Sequence, residues 1–161
     1  MKKNNKGFTL IELLAVIVVL AIIMVIATTQ INRTIRKSRV DSFLSTMQIA
    51  MEASRTCSVQ QESGDDCVAN VDYSEDDYTL TMTSTDYTTY TITLSAKDGS
   101  EFESINVAEF YGNDDGTTID QDKVKAQLGH SSKIDNVTFT QGDPDADSDP
   151  TYPTLKVTYR P

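Results

Sequence analysis

A chain of 161 residues and 17.8 kDa has room for about one domain, which excludes a multidomain enzyme. The formal charge of −10 is unevenly shared: residues 1–40 hold seven Lys or Arg against one Glu, a net of +6, and residues 41–161 hold seven against 23 Asp or Glu, a net of −16. Phosphate binding needs clustered cations, and past Lys6 the only cluster is Arg33, Arg36, Lys37 and Arg39, so the acidic body argues against nucleic acid as a partner. The mean hydropathy of −0.33 is that of a soluble protein, yet Phe8 to Ala27 contains one ionisable residue, Glu12, in twenty.

The first element in chain order is therefore an apolar segment behind a short basic stretch, Lys2, Lys3 and Lys6. As a helix, the twenty residues from Phe8 cover about 30 Å, enough to cross a hydrocarbon core. A cleaved secretory signal is the rival reading, with Val25-Ile26-Ala27 before a possible cut, but its apolar part normally runs only about 7 to 15 residues. A lipoprotein anchor is excluded because no cysteine precedes Cys57. Glu12 fits no generic anchor. A carboxylate costs about 2.5 to 3.5 kcal/mol at the centre of a spanning helix and less near its edge. Either it snorkels to the head groups, or a positive group on another chain meets it.

The run Lys6-Gly7-Phe8-Thr9-Leu10-Ile11-Glu12, followed at once by Leu13-Leu14-Ala15-Val16-Ile17-Val18-Val19-Leu20, resembles the class III signal of type IV pilins and the related pseudopilins. The resemblance implies that a prepilin peptidase cuts between Gly7 and Phe8 on the cytoplasmic side, methylates the new Phe8 amine and leaves the apolar run in place. It also implies that Glu12, fifth in the mature chain, neutralises the terminal amine of a neighbouring subunit. Opposite charges about 4 Å apart in a medium of low effective dielectric attract by several kcal/mol, whereas either alone is a liability. Positive residues flank the segment almost equally on both sides, so the resemblance, and not charge counting, sets the leader in the cytoplasm.

No Pro or Gly interrupts the chain between Phe8 and Gln61. Ile31, Ile35, Val40, Phe43, Leu44, Met47, Ala50 and Met51 recur at helical spacing, which predicts an amphipathic continuation to about Ser54, some 70 Å of helix in all, with that face against a sheet. Beyond it, Tyr78, Leu80 and Met82 alternate with Thr79, Thr81 and Thr83, and Tyr90, Ile92 and Leu94 alternate with Thr89, Thr91 and Thr93, predicting two strands about a Ser84-Thr85-Asp86 turn. Lys97 to Ser100 reads as a turn and Phe102 to Phe110 as the possible start of a third strand. Asp120 to Gly129 reads as a short helix with Asp120 as its cap and Gly129 as its stop. Val137 to Phe139 and Leu155 to Tyr159 complete the strands. The expected fold is α+β, a long N-terminal helix packed on an antiparallel sheet of about four or five strands, divided as leader 1–7, filament-core or transmembrane helix 8–27, amphipathic continuation 28–56 and β-rich head 57–161.

Cys57 and Cys67 are an even count at short range. If the apolar segment sends the head out of the cytosol, a disulfide closing that loop is favoured over two unrelated thiols, and it would pin the exit of the helix. Asp143, Asp145, Asp147 and Asp149 alternate in a Pro-flanked loop and offer the carboxylates that calcium wants, but Ser148 stands where an EF-hand has Gly and Thr154 where it has Glu. The expectation is a solvated acidic turn, with calcium as the one cofactor alternative. The single histidine, His130, follows the helix terminator, where it is expected to cap carbonyls. With no nucleophile motif, phosphate loop or CxxC pair, catalysis is not expected.

Together these readings point to a structural subunit of a type IV pilus filament, a precursor in the cytoplasmic membrane and then a cell-surface fibre serving adhesion, motility or surface interaction. Its partners would be copies of itself or other pilins, the prepilin peptidase and the pilus assembly machinery. A pseudopilin of a type II secretion or competence system is the alternative, and a singly anchored extracellular binding domain the second.

Overall fold

A computed structural model describes residues 8–64, 71–143 and 151–161. The chain divides into two compact units, residues 1–36 and 37–161, each described here by itself. Helix α1, Leu10–Glu62, contributes to both. It ends later than the apolar spacing predicts, beyond Ser54 and beyond Cys57, because nothing stops a helix before Gly64. That glycine takes φ +83, and the Ser63 N–H closes the last turn onto the Val59 and Gln60 carbonyls.

In the first unit the large apolar side chains of α1 are exposed, from 47% at Ile35 to 86% at Leu10. Ile31 and Ile35, assigned by spacing to the sheet-facing stripe, are also exposed, so the buried stripe begins only at Val40.

In the second unit, Val40, Phe43, Leu44, Met47, Ala50 and Met51 are all buried in one hydrophobic core. They pack against a five-stranded antiparallel sheet of β1 (Val71–Ser74), β2 (Tyr78–Thr83), β3 (Tyr90–Ala96), β4 (Ile134–Thr140) and β5 (Thr154–Tyr159), in the order β1-β2-β3-β5-β4. The alternation of β3 is complete: Tyr90, Ile92, Leu94 and Ala96 are buried and the residues between them half-buried. The opposite face carries three cross-strand rows, Thr83-Thr91-Thr158-Asn136, Thr81-Thr93-Lys156-Thr138 and Thr79-Ser95-Thr154-Thr140. Only one of these twelve residues is charged. In a sheet such neighbours lie about 4.8 Å apart, so the face is an array of hydroxyls.

The segment Phe102 to Phe110 is not a strand. It forms turns and then the short helix α2, Ala108–Tyr111. Phe102, Ile105, Val107 and Ala108 are all buried, a spacing that fits neither period, and the Phe102 ring packs 5.4 Å from that of Phe43 and 6.5 Å from that of Tyr78. Gly112 follows because a Cβ there would collide with the Ala108 carbonyl. Helix α3, Gln121–Leu128, forms where the caps predict. The Asp120 side chain accepts from the Asp122 and Lys123 N–H groups, Val124 and Leu128 are buried, and the Gly129 N–H closes onto Ala126. Gln48 Nε2 donates to the Gln127 carbonyl at 2.6 Å and ties α3 to α1.

Candidate assembly helix and processing site

Phe8 is 85% exposed at the entrance to α1; Gly7, on the other side of the expected cleavage bond, lies outside the described residues. Thr9 caps the helix. Its N–H and its hydroxyl both donate to Glu12 Oε2 at 2.8 Å, and the Glu12 N–H approaches Thr9 Oγ1 at 3.4 Å. This is the reciprocal capping box of a threonine followed three residues later by glutamate. The signal is present in Thr9-Leu10-Ile11-Glu12 but is hidden when Glu12 is read only as a charge awaiting a partner. Glu12 is thus already held by its own chain, in a fixed place at the positive end of the helix dipole, where a carboxylate is stabilised. Past Glu12 the next acidic residue is Asp41, so the exposed surface of α1 up to that point is apolar, then polar and basic.

The second unit opens with a polar clamp that sequence reasoning missed. Lys37 Nζ donates to Asp41 Oδ2 at 2.8 Å and to the Tyr111 hydroxyl at 3.3 Å, and that hydroxyl donates to Asp41 Oδ1 at 2.6 Å. Burial pushes the Asp41 carboxyl up, but the bonds from Lys37 and Tyr111 outweigh it and hold the acid below its usual range. The bond to Asp41, then that to Tyr111, pushes the Lys37 ammonium up. Burial, then the bond to Asp41, raises the Tyr111 phenol. The pair Lys37 and Asp41 is legible as an i,i+4 spacing; Tyr111, 74 residues from Lys37, is not.

Cys57 is buried at 3% within α1 and is not a free thiol, whereas Cys67 lies outside the described residues. Asp143 is exposed and its backbone N–H donates to Thr151 Oγ1 at 2.8 Å; Asp145, Asp147 and Asp149 lie outside the described residues. The His130 side chain makes no capping bond to the turn that follows it. The residue's backbone takes a left-handed conformation, φ +49, and its carbonyl accepts from the Lys133 N–H at 2.8 Å to start the 3-10 turn Ser131–Lys133.

An exposed apolar helix opened by a capped Thr-x-x-Glu leads into an α+β head, and the motif at the start of that helix indicates a type IV pilin-like or pseudopilin precursor. The comparison with known families agrees: residues 2–28 match the family model of the prokaryotic N-terminal methylation motif, the class III signal of those proteins. That match covers the leader and the apolar helix and leaves the head outside it. No curated protein and no solved structure matches the chain. The motif marks a membrane-anchored precursor that prepilin peptidase processes, in a family whose role is structural.

Proposed function

We propose that the chain is the structural subunit of a type IV pilus filament, cut between Gly7 and Phe8, methylated on Phe8 and polymerised through its N-terminal helix while the acidic head coats the fibre. The observation that carries this reading is the uncovered apolar surface from Phe8 to Ile26, beginning at the motif. Lipid covers it in the precursor and the helices of neighbouring subunits cover it in the fibre, so burial supplies the cohesion. Glu12 sets the stagger by meeting the Phe8 amine of a neighbour from the position its capping box fixes. A Cys57–Cys67 bridge pins the last turns of α1.

Sequencing the mature N-terminus tests the reading directly. A methylated Phe8 supports it; an intact Met1 means a singly anchored surface domain, and Thr28 a secreted soluble protein. Surface fibres seen by electron microscopy, and lost on deletion, support the pilus over a pseudopilus. Glu12→Ala is expected to insert and keep the thermal midpoint of the head while fibre yield falls severalfold; normal fibre numbers would remove Glu12 from assembly.

A further inference from the structure

Beside strand β4 the head carries a cleft of about 300 Å³ with nine lining residues, none of them charged, in a chain of which 24% is charged. Its polar groups are the amides of Asn106, Gln121 and Gln141 and the hydroxyls of Thr117, Thr118 and Thr138, of which Thr118 Oγ1 already accepts from Asn113 Nδ2 at 3.0 Å, and half-buried Phe139 supplies an aromatic surface among them. We propose that this cleft binds a neutral carbohydrate. The site goes beyond the assembly reading and holds whether or not the chain polymerises.

The chemistry of the lining selects the ligand. Sugar hydroxyls donate and accept at once, and amide and hydroxyl side chains answer them in both senses. The CH face of a pyranose stacks on an aromatic ring, which Phe139 provides. The lining has no cation to pair with a phosphate, sulfate or sialic acid carboxylate, and no carboxylate to pair with a basic peptide. Two of the amides are set in orientation by the fold. Gln141 Nε2 donates to the Ile105 carbonyl at 2.9 Å, and Asn106 Oδ1 accepts from the Ala108 N–H at 2.9 Å. That leaves Gln141 Oε1 and Asn106 Nδ2 for a second partner. The volume is at the lower end of the range for small-molecule sites, which suits one or two sugar rings. Thr138 also belongs to the hydroxyl face of the sheet, where its neighbour across β5 is Lys156.

The test is a two-dimensional amide NMR titration of the isotope-labelled full chain, held in a zwitterionic detergent without a sugar headgroup. The probes are lactose, cellobiose and chitobiose, with sialyllactose as the charged comparison. The expected result is saturable shifts at the amides of Thr117, Gln121, Thr138 and Gln141 for at least one neutral disaccharide, with a dissociation constant on the order of 1 mM. The affinity should be unchanged between about 50 and 500 mM salt, since no charge is involved. The paired variant Gln121→Ala, Thr138→Ala removes two exposed side chains and should weaken binding about tenfold with the remaining spectrum unmoved; Gln121→Ala alone serves if the pair does not fold. The proposal is overturned if no neutral disaccharide shifts these amides up to about 50 mM, if the variant binds as the parent does, or if only sialyllactose binds.

Discussion

Leu14 and Leu44 lie on the same helix and carry the same side chain, yet Leu14 is 54% exposed and Leu44 fully buried. The difference is in what the rest of the chain brings to them. Around Leu44 the sheet and the segment from Phe102 to Val107 supply apolar partners. Around Leu14 the described residues supply none. Apolar content alone therefore does not say where a helix is stabilised. Among the described residues the first unit exposes its apolar side chains, whereas the second buries its own core.

The same truncation in both places breaks this comparison most severely. Leu44→Ala is expected to cost the head about 2 to 5 kcal/mol in chemical denaturation. Leu14→Ala should leave that transition where it is and act only on membrane retention and fibre yield. An equal loss of head stability from both variants would mean that the first unit is covered by its own chain.

The clamp at the start of the head gives the next largest effect. Tyr111→Phe removes the hydroxyl that Asp41 and Lys37 share and is expected to cost about 1 kcal/mol, discounted because the Lys37 and Asp41 side chains are 51% and 36% exposed. No change in the denaturation midpoint would show the clamp to be ornamental.

A smaller effect depends on pH. The hydroxyl of Thr88, then the N–H groups of Thr88 and Thr89, hold the Asp86 carboxyl down to about 2, against an ordinary value of 3.8. Because the folded value is the lower one, this contribution is complete above about pH 4 and is lost as the pH falls toward 2. Thermal scans between pH 5 and 2 should show the midpoint falling through that window, and Asp86→Asn should flatten part of the fall.

The smallest effect falls on the two tyrosines that face each other across β3 and β5. Tyr90 and Tyr159 are register partners, fully buried, and neither hydroxyl has a hydrogen-bond partner among the described residues. Removing an unsatisfied buried hydroxyl relieves its desolvation, so Tyr159→Phe is expected to be neutral or to stabilise the head by about 1 kcal/mol. A clear loss of stability would mean the hydroxyl has found a partner.

What could be read from the sequence follows from how local each signal is. The threonine alternation of β2 and β3, the Asp120 and Gly129 caps of α3 and the apolar spacing from Val40 onward are set by neighbours within a few residues, and all form as expected. Strand β1 was missed because four residues, Val71–Ser74, are too short to show a period, and it forms only because β2 offers an edge. The segment from Phe102 misled because its apolar residues fill gaps in the core instead of following one face. At the candidate site, the cleavage motif was legible as a contiguous string. The Thr9–Glu12 cap was legible in principle, and Tyr111, brought in from far along the chain, was not.

The strand order carries one more consequence. Strand β5 is made last, yet it lies between β3 and β4, so it joins two halves of the sheet that have no ladder with each other before it arrives. Until then β3 has one open edge and β4 has no strand partner, and the core lacks Leu155, Val157 and Tyr159. The centre of the sheet thus rests on ladders between residues far apart in the chain, Tyr90 with Tyr159 and Leu94 with Leu155 among them, and a topology dominated by such distant pairs folds more slowly than one built from hairpins alone.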